Sequence, residues 1–375
     1  MGMLDDKRLK LMIDLKDIES KAIDQIENIL KMDFIVKLAI MPDVHMGYTL
    51  PIGGVALTKD VISPVFVGYD IGCGMCLVET NIKASKWNQG KKERIYKAIC
   101  EAIPVGKTSH EDSQDYVDFV SESKNKNLDK KVNSRLKIQL GTLGSGNHFI
   151  ELGENKEGKI CITIHSGSRN IGHSIATYYM NIKQDGLDKG FLHLDSVEGR
   201  QYAADLLFAQ NYALDNRKHM MKAVLEILNV KDVDGAIKGM INENHNHAIV
   251  LDGGLVLHRK GATPADKGQL GVIPANMRDG VYVTKGLGND EYLNSASHGC
   301  GRTMGRNDAK RNLDVDVFKK GMKGIVASVD KSSLDEAPMA YKDANFVIDA
   351  QKGIAVDVID HIKTLIVVKG TSRPL

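Results

Sequence analysis

No uninterrupted apolar run in the chain approaches the ~20 residues a membrane helix needs, which argues against a membrane protein. The opening MGMLDDKRLKLM puts charges where a secretory signal needs an apolar stretch, and lacks the Ser or Thr of a myristoylation signal. Neither sign of charge prevails: 50 Lys and Arg face 48 Asp and Glu, so no global basic field announces nucleic acid and any basic surface is local. Aromatics are scarce, at 5% with one Trp, and there is no repeat, Pro-rich linker or low-complexity tract. With 42% hydrophobic and 26% charged residues, this excludes disordered, collagen-like and coiled-coil chains. Five cysteines, an odd number, at positions 73, 76, 100, 161 and 300, predict a reducing, cytoplasmic setting rather than a disulfide framework. Nucleotide-loop signatures are missing too. There is no G-x-x-x-x-G-K-[ST], and Gly299-Cys-Gly301-Arg-Thr-Met-Gly305 misses the dinucleotide fingerprint by one residue.

A chain of 375 residues has room for one large domain or two ordinary ones of about 150 residues. Ile18, Ala22, Ile26 and Ile29 predict a helix within 15–31, and Phe34–Ile40 a strand ending in the polar tip Pro42-Asp43-Val44-His45. Apolar stretches at 65–69 and 159–164 read as strands running into the glycine-bracketed tips Asp70-Ile-Gly-Cys73-Gly and His165-Ser-Gly-Ser-Arg169. Helices are expected over 200–229, 314–323 and 341–351, a hairpin turn over 251–255 between strands 248–251 and 255–259, and a solvated loop over the charged stretch 122–136. Strict βαβ alternation is not visible. The expectation is therefore an α+β fold, a single large domain over 1–375 with mixed sheets and peripheral helices.

The 36 glycines cluster beside histidines, and five of the 12 histidines, His45, His148, His165, His245 and His298, sit in polar tips flanked by Gly or Asn. Any one alone is more often a surface or core residue; together they point to a site. Asp70 and Cys73, on one tight glycine turn, add a carboxylate and a thiolate and make a metal site plausible. Cys76 completes a C-x-x-C, but Cys76-Leu-Val-Glu-Thr reads as strand, so Cys76 is expected to be buried filler. Thiolate and imidazole favour zinc, whereas Asp70 and open positions suit manganese. Two ions would suit in-line phosphoryl displacement. Gly299 and Gly301 leave N–H groups for an oxyanion, and Arg302, Arg306 and Lys310 follow at i, i+4 and i+8, as if on one face of a helix. Lys59, Arg169, Arg259 and Lys260 extend a candidate basic strip.

These stretches resemble the RtcB family of RNA-splicing ligases. The resemblance runs in order from Met41-Pro-Asp-Val-His45-x-Gly47 through Val67-Gly-x-Asp-Ile-Gly-Cys-Gly-Met75 to Gly141-Thr-Leu-Gly-x-Gly-Asn-His-Phe-Ile-Glu151. It continues with His165-Ser-Gly-Ser-Arg169, His245-Asn246, Arg259-Lys-Gly-Ala262, Ser297-His-Gly-x-Gly-Arg302 and Pro338-Met-Ala-Tyr-Lys-Asp343, covering about residues 34–370. It implies the family's own α+β fold and a GTP- and manganese-dependent ligase. That enzyme joins RNA 3′-phosphate or 2′,3′-cyclic phosphate ends to 5′-hydroxyl ends, in tRNA splicing or RNA repair. Asp70, Cys73, His148, His165 and His245 would hold two Mn²⁺ ions, and His298 would carry GMP covalently. Asn147, Phe149, Glu151, Cys300, Gly301, Tyr341 and Lys369 would contact GTP or GMP, and Arg169, Arg302 and Arg306 the RNA. An archease-like activator is a further partner the family implies. Asp43 and His45 match a polar tip near the site and would have a structural or substrate-positioning role. Tyr48, where family members commonly carry Lys, and Cys300, in place of Ala, depart from the pattern. Two other readings use the same cluster: a metal-dependent phosphohydrolase acting on nucleotide or RNA phosphate ends, and an RNA-binding module with a structural metal.

Overall fold

Along the strand Gly74–Lys83, Cys76 and Val78 pack into one core while Met75 and Leu77 pack into another, so both faces of this strand are covered. Its neighbour Lys159–Ser166 behaves alike, sending Ile160, Ile162 and Ile164 to the first core and Cys161 to the second. The computed structural model describes residues 3–372; the two N-terminal and three C-terminal residues of the expected 1–375 domain lie outside the described residues. Seven strands follow one another in the order Leu270–Pro274, Val281–Gly286, Val356–Lys369, Phe149–Glu154, Lys159–Ser166, Gly74–Lys83 and Ile241–Asn244. Val326–Ala327 adds an eighth beside Val356–Lys369. The first and last strands of the series touch, so the sheet nearly closes.

Against its outer face lie the helices Gln89–Ala102 and Val197–Ile227. The latter has 31 residues and buries Tyr202, Leu206, Ala209, Ala213, Met220 and Val224 at helical spacing. Each such aliphatic or aromatic side chain removed from water contributes about 1.5–3 kcal/mol. A second sheet of five strands, Leu9–Leu11, Ile35–His45, Ile52–Lys59, Leu255–Lys260 and Asn246–Val250, is antiparallel except at its parallel first pair. The expected α+β architecture with mixed sheets and peripheral helices is present.

The helix expected within 15–31 begins only at Ser20 and ends at Leu30. Three other local expectations are corrected. The stretch 122–136 is not a loop: Lys126–Gln139 is a helix, capped by the Asn125 side chain, that buries Leu128, Val132 and Leu136 against Tyr212 and Ile171. Three apolar residues at i, i+4 and i+8 are enough for a narrow stripe even among lysines and asparagines. The segment 65–69 is not a strand, because Pro64–Val67 makes one helical turn, capped by Ser63 and ended by Gly68 at φ 93°. Arg302 does not share a helix face with Arg306 and Lys310, since the helix Arg306–Asn312 starts after it.

Candidate active site

The inward face of the nearly closed sheet turns polar at one end. Phe149 and Glu151, Thr163 and His165, and Val367 and Lys369 share the parity of the inner core residues on their strands, and so face inward. The neighbouring strands Gly74–Lys83 and Ile241–Asn244 deliver Cys73 and His245 at their ends, where the His245 N–H donates to the Cys73 carbonyl at 2.7 Å. Buried Arg217, from the helix Val197–Ile227, locks these ends together. It donates to the Gly72 and Ser166 carbonyls and to the Asn242 and Asn244 side chains, at 2.7–2.9 Å.

The five residues singled out as ligands meet. Cys73 Sγ lies 3.4 Å from His148 Nε2 and 3.2 Å from His165 Nε2, His165 Nε2 lies 3.3 Å from His245 Nε2, and Asp70 Oδ2 lies 3.0 Å from His148 Nε2. Ligand atoms of Cys73, His148 and His165 all fall within 4.8 Å of one another. His148 Nδ1 faces the Leu143 carbonyl at 3.0 Å and His165 Nδ1 that of Asn147 at 3.3 Å. With its ring proton on Nδ1, His165 turns its Nε2 lone pair to the thiol, the tautomer and outer-shell arrangement that metal-binding histidines use, and His148 has the same carbonyl anchor at Nδ1. Burial depresses the basicity of His165 and His245 well below the usual imidazole range, with nearby rings adding to it, so both are neutral ligands. Burial also drives the Cys73 thiol up, reinforced by Asp70; a cation is what reverses that. Burial alone would raise the Asp70 carboxyl, but His148 outweighs it and holds Asp70 below the usual carboxylate range. The donor set of one thiolate, one carboxylate and three imidazoles fits a divalent transition metal.

His298 stands beside this cluster, its ring centroid 4.7 Å from that of His245. Its Nδ1 lies 2.7 Å from Oδ2 of fully buried Asp43, whose Oδ1 has no partner. Gly301 makes this possible. At φ 69° its missing Cβ would sit 2.4 Å from the Asp43 carbonyl oxygen. Lys342 donates to the Pro42 and Val44 carbonyls on either side of Asp43, at 3.3 and 2.8 Å.

Asp70, Cys73, His165, His245 and His298 open into a cavity of about 960 Å³, also lined by Asn147, Phe149, Glu151, Cys300, Gly301, Arg302, Arg306, Tyr341 and Lys369. One wall is an ion-pair hub. Glu336 accepts from Lys369 Nζ at 2.6 Å, Tyr341 OH at 2.7 Å and Arg306 Nη1 at 2.6 Å, with Arg302 at 3.5 Å. Burial would raise Glu336, but Lys369 and Arg306 bring its carboxyl down to about 2. Burial instead pushes Glu151 up to about 8, against Thr364 and Lys369, which lower it.

Arg169 is absent from the cavity lining; its guanidinium donates to Thr142 Oγ1 and the Gly106 carbonyl. Arg306 and Lys310 both reach Asp335, and Arg259 is buried on Ser295, His247 and two carbonyls. Cys76 lies buried in the outer core, away from the ligands, with its thiol pushed up to about 12 by burial. Sequence reasoning missed Arg217 and Glu336. Arg217 left a signal, a lone arginine in register with the apolar stripe of its helix between Ala213 and Met220. Glu336 left none.

Such a donor set, beside an imidazole gripped by a buried carboxylate, is equipment for metal-assisted chemistry on a ligand entering the cavity. A family profile described as tRNA-splicing ligase RtcB matches residues 25–124 and 115–370. The RNA-splicing ligase RtcB of Escherichia coli K12 is 34% identical over 391 residues, covering 94% of this chain and 95% of its own length. The RNA-splicing ligase RtcB1 of another Escherichia coli strain is 35% identical with the same coverage. The tRNA-splicing ligase RtcB of Archaeoglobus fulgidus is 30% identical, covering 94% of this chain and 92% of its own. The chain belongs to the RtcB family.

Proposed function

We propose that the protein is an RNA ligase that uses GTP and Mn²⁺ to join RNA ends bearing a 3′-phosphate, or a 2′,3′-cyclic phosphate first opened by water, to 5′-hydroxyl ends. One observation carries the reading: a histidine held by a buried carboxylate at 2.7 Å, one ring away from a cluster of metal-ligand atoms. Asp70, Cys73, His148, His165 and His245 would hold two Mn²⁺ ions, which when bound neutralise charge on phosphate oxygens. A hydrogen bond from the retained Nδ1–H to Asp43 would keep the His298 Nε2 lone pair free as nucleophile. That nitrogen attacks the α-phosphorus of GTP; the P–N bond forms as the bond to the β-phosphate oxygen breaks, and pyrophosphate departs. The RNA 3′-phosphate oxygen then takes the guanylyl group and returns the imidazole. Attack by the 5′-hydroxyl on the activated RNA phosphate forms the phosphodiester, with GMP leaving and the hydroxyl proton lost.

Glu151 would accept from the donors on the guanine edge, and Asn147, Phe149, Tyr341 and Lys369, with Cys300 and Gly301, would enclose the guanylate. Arg302 and Arg306, on the cavity wall, would meet RNA phosphates, whereas Arg169 would act through its neighbours. The free thiols at all five cysteines support a cytoplasmic setting, and no described helix is long and apolar enough to cross a membrane. tRNA splicing or RNA repair would supply the ends, and an archease-like protein would serve as activator. The test is incubation with GTP radiolabelled at the α-phosphate and Mn²⁺, followed by denaturation. Acid-labile label is expected on the wild type and none on His298→Ala. An unlabelled wild type that releases inorganic phosphate would favour the phosphohydrolase instead.

A further inference from the structure

Among the described aromatic residues Tyr48 is the most exposed, with 74% of its surface open, and it stands at the mouth of the cavity. Its ring meets Tyr69 edge-on at 5.6 Å, and Tyr69 stacks on His173 at 5.1 Å with an interplanar angle of 23°. Tyr69, in the middle of the row, lines the cavity and directly precedes Asp70, whereas His173 is exposed on the helix Arg169–Tyr179. Lys260 Nζ stands 5.5 Å from the Tyr48 ring centroid, tethered to the Val65 carbonyl at 3.3 Å.

The backbone that carries Tyr48 is anchored. Gln25, on the helix Ser20–Leu30, accepts from the Gly47 N–H at 3.1 Å, donates to the Gly47 carbonyl at 3.0 Å, and also donates to the Tyr48 carbonyl. A solvent-facing ring costs hydration free energy unless something covers it, and this loop is not free to fold the ring away. An exposed aromatic ring beside a cation, braced by a tyrosine one residue from a cluster suited to hold phosphate-binding ions, matches the chemistry of a nucleobase followed by its phosphate. A π face accepts any base, as an end-joining enzyme requires.

We propose that the exposed ring of Tyr48, braced edge-on by Tyr69, which is itself stacked on His173, forms the stacking platform for the terminal base of the single-stranded RNA end that carries the 3′-phosphate, delivering that phosphate to the cluster beside Asp70. The proposal rests on the RNA-ligase reading. It is tested by joining kinetics on oligoribonucleotides with GTP and Mn²⁺. Tyr48→Ala is expected to raise the KM for RNA about 10-fold, within the range of one lost stacked base, and Tyr48→Phe to restore it. Labelling from GTP, which needs no RNA, keeps its rate. A substrate whose 3′-terminal nucleotide lacks its base should suffer a similar loss with the wild type and little further loss with Tyr48→Ala. An unchanged KM in Tyr48→Ala, full additivity of the two losses, or a loss tied instead to an abasic 5′-hydroxyl end would overturn the platform. Failure of the wild type to take label or join ends would overturn the ligase reading itself.

Discussion

Glu336→Gln replaces the one carboxylate that faces Lys369, Arg306 and Tyr341 together, while keeping its shape. Lys369 and Glu336 are each only 4% exposed, so their 2.6 Å contact is scarcely screened by water. Held at about 2 instead of the ordinary 4.5, the carboxyl contributes about 3 kcal/mol to stability at neutral pH. Because the folded value is depressed, that contribution is complete above about 4.5 and drains away as pH falls toward 2. In urea unfolding the gap between wild type and Glu336→Gln should be about 3 kcal/mol at pH 7, narrowing toward about 1 kcal/mol by pH 3. In a thermal scan at pH 7 this is a fall of about 4 °C for a chain of this length. Adding Lys369→Met should recover part of the loss, since the buried ammonium no longer lacks its partner. A gap equally wide at pH 3 and pH 7, or strict additivity with Lys369→Met, would refute the view that Glu336 acts as a buried counter-charge.

Asp43→Asn can place an amide donor against His298 and shift the ring proton to the attacking nitrogen; the labelling rate from GTP should fall about 10²–10⁴-fold, and a wild-type rate would show that the carboxylate does not hold the ring. Glu151 must lose its proton to accept from guanine, and burial holds it protonated below about 8. GTP affinity measured by calorimetry should therefore rise between pH 6 and 8, by up to about tenfold per pH unit, and Glu151→Gln should flatten that slope. Chelator-stripped protein given Mn²⁺ at about 100 times its Kd should gain about 2.7 kcal/mol, seen as a higher melting temperature that Cys73→Ala largely abolishes. Arg217→Met strands buried acceptors at Gly72, Ser166, Asn242 and Asn244; it should cost about 3 kcal/mol or more in urea unfolding and weaken that Mn²⁺ shift.

What could be read before folding was whatever is local. The hairpin over 251–255 joins the strands Asn246–Val250 and Leu255–Lys260, and the long helix occupies Val197–Ile227, because turn glycines and an apolar stripe are written into short windows. Asp70, Cys73, His148, His165 and His245 stood out among the polar residues in glycine- or asparagine-flanked tips, the family resemblance narrowed that group to an expected ligand set, and in the fold their side chains converge. The helix Lys126–Gln139 was hidden because its stripe is three residues wide in a polar background and is stabilised by Tyr212 and Ile171, which are far away in sequence. Glu336 and Lys369 each look ordinary until the Val356–Lys369 strand brings them together, and Arg169 looked exposed until the loop at Gly144 closed over its guanidinium.

Asp43 and His298 are 255 positions apart in the chain. At about 5–20 residues added per second, a ribosome needs roughly 13 to 50 s between emitting the two. Throughout that interval the emerging polypeptide can present Asp70, Cys73, His148, His165 and His245 in turn, yet it has no histidine at 298 to arm. On the role proposed for His298, the chain gains its nucleophile only after about four fifths of its residues have been added, so products truncated before it would be inert.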